Sequence, residues 1–132
     1  MTTQAASRIR VRYAETDQMG IAYHGNYFAW FEVGRTDLLR GLGVTYRELE
    51  ADGLRLPVIE TQALFLRPAL YDDMLEVRTR LAQMGGASLS FEYEVRREGG
   101  DTPLATGRTR HAAVDRDGKP RRLPKQIRSL LR

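Results

Sequence analysis

Segment 8–14 (Arg-Ile-Arg-Val-Arg-Tyr-Ala) alternates strictly between polar and apolar residues. Ile9, Val11 and Tyr13 point one way and the three arginines the other, the period of a half-buried strand. An irregular stretch follows over 15–25, with Gly20 and Gly25. From Asn26 to Leu42 the period changes to that of a helix. Phe28, Phe31, Leu38 and Leu42 recur at about 3.6-residue spacing, and Tyr27, Trp30, Val33 and Leu39 widen the stripe. The first two turns are apolar almost all round, which predicts a buried helix. Gly34 in its middle lowers helix propensity, so close approach of another element to that face is expected. Gly41 and Gly43 can end the helix. Thr45-x-x-Glu48 fits a capping box for a short helix to Asp52. Leu56–Leu66 is β-rich, with Pro68 and the turn Asp72-Asp73 after it. Leu75, Val77, Thr79 and Leu81 alternate up to Gly85-Gly86, and Leu89, Phe91, Tyr93 and Val95 alternate up to the turn 98–101. Residues 103–115 make a last strand, and Ile127 to Leu131 a terminal helical turn. Strands joined by tight turns must be antiparallel neighbours. One antiparallel sheet around one apolar helix satisfies the pattern, an α+β architecture.

Length and composition narrow the class. At 132 residues the chain reads as a single domain over 1–132. It has no cysteine, which excludes disulfides, thiolate metal sites, iron–sulfur clusters and cysteine nucleophiles. His24 and His111 are the only histidines, so a multi-histidine metal centre is excluded; two histidines with carboxylates would be formally possible, but no metal is expected. No apolar run approaches the ~18 residues of a membrane span. The first seven residues lack a basic-then-apolar leader, which predicts a cytoplasmic chain. The net charge is +4, unevenly placed. Residues 116–132 hold seven basic side chains and one acid. Such a terminus suits the phosphates of a nucleotide-bearing ligand or a nucleic acid, or is simply a solvated face. The aromatic–basic interleaving that stacks bases is missing, so no nucleic-acid partner is expected.

The chemistry concentrates in the stretch from Tyr13 to Tyr27. It holds Asp17, His24, two glycines and three tyrosines between a strand and a buried helix. A helix start offers free backbone N–H groups and positive potential. Opposite a carbonyl it can serve as an oxyanion hole for acyl transfer. A carboxylate beside it can attack that carbonyl or activate water.

The pattern Asp17-x-x-Gly20-x-x-Tyr23-His24-x-Asn26-Tyr27, after a strand and at the head of a buried helix, resembles the signature of hotdog-fold acyl-CoA thioesterases. The type is that of 4-hydroxybenzoyl-CoA thioesterase, including the branch associated with the bacterial Tol–Pal system. Phe28 to Leu42 resembles the family's central helix, and Leu66-Arg67-Pro68-Ala69 with Asp72-Asp73 its turn after the second strand. Gly86-Ala87-Ser88-Leu89 is similar to its third turn, and Arg122-Leu123-Pro124 to its closing segment. The resemblance implies a hotdog fold, a five- to six-stranded antiparallel sheet wrapped around one long buried helix. It implies acyl-CoA hydrolysis with Asp17 as nucleophile or general base. It places His24 where a backbone N–H polarises the carbonyl, with the imidazole itself considered catalytic in one branch. Tyr13 falls where a hydroxyl orients substrate or water. Tyr23 and Gly25 fall beside the substrate, and Ser88, Arg121 and Arg122 near the nucleotide end of CoA. No separate cofactor is implied, since CoA is part of the substrate. A homodimer or a dimer of dimers is implied, with the site between subunits; exposed sheet edges also favour pairing.

Each residue has a plainer alternative. Asp17 can cap a turn, His24 can be a satisfied helix-start residue, and Tyr13 can pack on the inner sheet face. Asn26 holds the loop or caps the helix. His111 reads as structural, and Glu60 is a weak second acid. There is no Gly-x-Ser-x-Gly elbow and no nucleotide-binding glycine loop. The rival function is a non-catalytic acyl-CoA or acyl-carrier-protein binding module on the same fold.

Overall fold

The computed structural model describes residues 4–130. Leu131, expected at the end of the terminal helical turn, lies outside them. Five strands form one antiparallel sheet: β1 (Gln4–Arg10), β2 (Val58–Phe65), β3 (Met74–Met84), β4 (Ser88–Arg97) and β5 (Pro103–Ala112), in the order β1-β3-β4-β5-β2. The helices are α1 (Asn26–Gly41), α2 (Tyr46–Ala51) and the single turn α3 (Lys125–Arg128).

The alternating residues of β3 and β4 face inward as their period demands. Leu75, Val77, Leu81, Leu89, Phe91, Tyr93 and Val95 are all buried. Their inner face receives α1. Phe31 lies flat on Tyr93, ring centres 4.4 Å apart, and closes over Gly107, where a Cβ would come within 2.3 Å of the ring. Gly34 lets the helix backbone meet β3: a Cβ there would stand 2.2 Å from Thr79 Oγ1. This is the close approach that a glycine in mid-helix predicted. Thr45 caps α2, its hydroxyl accepting from the Glu48 amide at 3.2 Å.

Four expectations need correction. The first strand runs from Gln4 and ends at Arg10, so Tyr13 is not a strand residue. It opens a 3-10 turn over Tyr13–Glu15 and is 77% exposed. The chain turns there because Val11 is tied to the β3 start, its N–H donating to the Asp73 carbonyl at 2.9 Å. Secondly, α1 is not buried all round. Tyr27, Trp30, Phe31, Gly34, Leu38 and Leu39 face the sheet, whereas Phe28 and Val33 are exposed, because the sheet covers one side of the helix only. Thirdly, β2 does not pair with β3 through its turn. Residues 66–73 carry the chain across the sheet, and β2 pairs with β5 at the far edge. Finally, the last strand stops at Ala112; beyond it Val114 makes only isolated bridges, to Arg55 and Pro120.

Candidate active site

The link from β1 to α1 folds back on itself as a small hairpin. Tyr23 N–H donates to the Glu15 carbonyl at 2.8 Å, and Asp17 N–H to the Ile21 carbonyl at 2.9 Å. Thr16 and Ala22 bridge between them. The tip closes through Gly20 N–H on the Asp17 carbonyl at 3.0 Å, with Gly20 at φ +79°. That left-handed conformation explains the glycine. The Asp17 carboxylate accepts from the Met19 amide at 2.9 Å. The turn-capping role foreseen as an alternative is therefore real, but it uses one oxygen. Among the described residues the other carboxylate oxygen takes no hydrogen bond.

The second arm of the hairpin leads into α1. Ala22 N–H is fixed on the Ala69 carbonyl at 2.8 Å, which moors the arm to the β2–β3 connection. The first helical amides, Asn26 and Tyr27, are taken by the carbonyls of Tyr23 and His24. The His24 and Gly25 amides, just before the helix, find no acceptor among the described residues. They are unbonded donors of the kind that a helix start provides. The His24 ring is exposed, lies 4.4 Å from the Tyr23 ring and meets Phe65 at the end of β2 edge-on at 6.1 Å. Gly25 sits so close under Tyr23 that a Cβ would stand 2.8 Å from that ring. Tyr13 and Tyr71 pack edge to face at 5.6 Å beside this region.

One carboxylate was not anticipated from sequence. Glu15 is 9% exposed and accepts from the Arg12 amide at 2.8 Å and from the Trp30 indole at 3.0 Å. Burial alone would raise its carboxyl, but the bonds from the Arg12 backbone, Trp30 and the Arg12 side chain hold it below its ordinary value. Its backbone carbonyl also accepts from Asn26 Nδ2 at 2.7 Å. Asn26 thus holds the loop and is not a cap. The available signal was an acid two positions before Asp17, but its partner lies fifteen residues away on α1.

The remaining expected site residues stand apart from Asp17 within one chain. Ser88 opens β4 at the β3–β4 turn, while the Asp17 hairpin adjoins the other end of β3, through Val11 and Asp73. The 11-residue strand β3, about 33 Å if fully extended, runs between these two ends. The closing segment is on Ser88's side: Leu123 N–H donates to the Gly86 carbonyl. Arg121 is held against the α2 end, donating to the Asp52 carbonyl at 3.2 Å, and Arg116 donates to Ala51 there. Part of the basic terminus is thereby tied to helix-end carbonyls, a favourable place for cations. Arg122 is exposed. His111 is fully buried, bonded to the Leu56 carbonyl and Thr109, and Glu60 lies exposed on β2. A cleft of about 820 Å³ on the outer sheet face and one of about 910 Å³ beside α2 are lined by neither Asp17 nor His24. The hairpin is an open surface on the single chain. Among the described residues no three His, Asp or Glu are grouped to hold a metal, and no helix is long and apolar enough to cross a membrane.

A sheet wrapped on one helix, with this hairpin at the helix head, defines the class. The chain belongs to the thioesterase-like superfamily, whose family model matches residues 11–131, and it is a hotdog-fold thioesterase. It is 35% identical over 120 residues to the acyl-CoA thioester hydrolase YbgC of Escherichia coli O157:H7, covering 90% of this chain and 89% of that one. The DHNA-CoA thioesterase of Staphylococcus aureus superimposes with a TM-score of 0.87 at 35% identity, over 91% of this chain and 80% of that one. The hypothetical protein TT1821 of Thermus thermophilus does so at 0.87 and 42% identity, over 94% and 92%.

Proposed function

We propose that the protein hydrolyses acyl-CoA thioesters to CoA and a free carboxylic acid, with Asp17 as nucleophile or general base. The observation that carries this reading is the hairpin: an Asp17 carboxylate with one oxygen tied to Met19 and one unbonded, on the same hairpin whose second arm carries two unbonded amides into α1. As general base, Asp17 takes a proton from water, and the hydroxide attacks the carbonyl carbon. The amides of His24 and Gly25 hold the oxyanion. The C–S bond then breaks, and the proton returns to the CoA sulfur. As nucleophile, Asp17 forms a mixed anhydride with release of CoA, and water cleaves it. The His24 ring and the Tyr13 hydroxyl orient substrate or water, and Tyr23 and Gly25 line the reacting end. Ser88, Arg121 and Arg122 face the nucleotide of CoA. Since they stand far from Asp17 in one chain, this role requires a second subunit to bring them in, which supports a homodimer or a dimer of dimers. CoA enters as substrate, with no separate cofactor, and the protein works in the cytoplasm. The names of the two CoA-ester relatives support the substrate class.

The test is thiol release from acetyl-, hexanoyl-, palmitoyl- and benzoyl-CoA, comparing the native chain with Asp17→Asn. The chain has no cysteine, so a thiol-reactive dye sees only liberated CoA. Loss of a general base lowers kcat by about 10²- to 10⁴-fold. Turnover that survives the substitution would remove Asp17 from the mechanism. Tight binding of the panel without turnover would favour the binding module.

A further inference from the structure

We infer that Glu15 is the positioning residue of this site, a buried carboxylate that fixes the Asp17 hairpin to α1 through Trp30. The inference rests on the Asp17 reading above. Glu15 touches no substrate position itself, since its side chain points into the fold. What it does is join three pieces of chain. One carboxylate oxygen takes the Arg12 amide, which sets the entry into the hairpin. The other takes the Trp30 indole N–H, which lies one helical turn inside α1. The main-chain carbonyl of the same residue takes Tyr23 N–H and Asn26 Nδ2, the two groups that bracket His24 and Gly25. One residue therefore sets the Asp17 arm relative to both unbonded amides.

The energetics favour a rigid arrangement. Trp30 is 2% exposed and stacks at a tilt on Tyr27, 4.7 Å between ring centres, so its N–H cannot swing to another acceptor. The Arg12 guanidinium stands 3.4 Å from the carboxylate and remains mostly exposed. Charge-assisted bonds of this kind are the stronger ones. The residue just inside the fold thus carries the bonds, while Asp17, two residues on, is left with a free oxygen.

Reaction geometry is sensitive to such support, because a displacement of about 1 Å at the reacting group can lower a rate about a hundredfold. Glu15→Gln offers one oxygen to two donors, so one of them must face an NH₂ group. Trp30→Phe keeps the ring and deletes only the indole donor. Both are made in the native chain and in Asp17→Asn, and each is assayed for thiol release on whichever of the four CoA esters the native chain cleaves fastest. Thermal melts fix the assay temperature well below every midpoint.

In the native background kcat should fall about ten- to hundredfold with KM changed less than about twofold. In the Asp17→Asn background the same substitutions should change the residual rate less than about twofold, because they act through Asp17. A merely structural role would lower both backgrounds by the same factor, and that result overturns the inference. Undiminished kcat in Glu15→Gln or Trp30→Phe, with Asp17→Asn inactive, overturns it while leaving the Asp17 reading intact. Full turnover in Asp17→Asn alone removes both. If Glu15→Gln does not fold, the Trp30→Phe arm decides.

Discussion

His111 sits fully buried between β4 and β2, its ring bonded to the Leu56 carbonyl at 3.0 Å and to Thr109 Oγ1 at 2.9 Å. Burial pushes its imidazole down to about 4 from an ordinary 6.5; the Leu56 carbonyl opposes this and the nearby Arg35 adds to it. Between those two values the unfolded chain binds a proton that the folded chain refuses, so stability falls as pH drops through the window. The loss reaches about 3 kcal/mol at its lower end. Urea midpoints should therefore drop between pH 7 and pH 5, and His111→Gln should flatten that slope; equal midpoints for the native chain at both pH values would contradict it. Glu15 acts lower: its stabilising bonds to Arg12 and Trp30 are present above its ordinary 4.5 and disappear as pH falls through its depressed value. The two histidines also mark what a sequence reveals at this scale. The candidate residues Asp17 and His24 are legible as a pair because hairpin and helix start lie within one local stretch. The importance of Glu15 is not, because its meaning depends on where Trp30 is carried by the packing of α1. Ser88 and Arg121 are similarly illegible in place: only the fold shows Ser88 at the far end of β3 from the Asp17 hairpin and Arg121 held at the end of α2.

Helix α1 and strand β3 meet at Gly34 with no room for a methyl group. A Cβ there would lie 2.2 Å from Thr79 Oγ1 and 3.2 Å from Val77 Cγ1. Gly34→Ala adds helix propensity of about 1 kcal/mol, yet overpacking a buried contact costs about 1–3 kcal/mol, and a contact this short belongs at the upper end. The variant should lose about 2 kcal/mol net of folding stability in urea titration. Thr79→Ala should restore most of it, because the hydroxyl is the obstructing atom. That hydroxyl is buried without a partner, so Thr79→Ala alone should be close to neutral. A double variant no more stable than Gly34→Ala would mean that the backbones, not this side chain, set the distance. The elements with one buried face, β3 and β4, were readable from alternation alone. The face of α1 was not, since its apolar residues exceed what one sheet can cover, and Phe28 and Val33 stay outside. Strand β2 was readable as a strand but not as an edge, because its pairing with β5 rather than β3 is a long-range choice.

The outer face of the sheet and its β2 edge differ sharply in chemistry. On the outer face Arg78 pairs with Glu76, Arg80 with Glu92 and Arg96 with Glu94, a charged ladder. Such a surface is well solvated and a poor candidate for burial. Along β2 almost every residue is exposed on both faces, including Ile59 at 51%, Leu64 at 65% and Phe65 at 48%. An apolar strand with one free hydrogen-bonding edge invites another chain. A second copy adding its own β2 would extend the five-stranded sheet across the join and cover these side chains. It would also enclose the open Asp17 hairpin, since Phe65 is where β2 meets His24 and Tyr27. A stable interface of standard size takes about 800 Å² from each partner. The native chain should sediment as a dimer or larger at about micromolar concentration. Ile59→Lys with Leu64→Lys buries two charges in that seam and should shift it to monomer. Thioesterase activity should then decline in step with the dimer fraction, because the hairpin alone is an open surface. Full activity in a sedimenting monomer would show that one chain contains the whole site, and would leave the apolar edge without a catalytic reason.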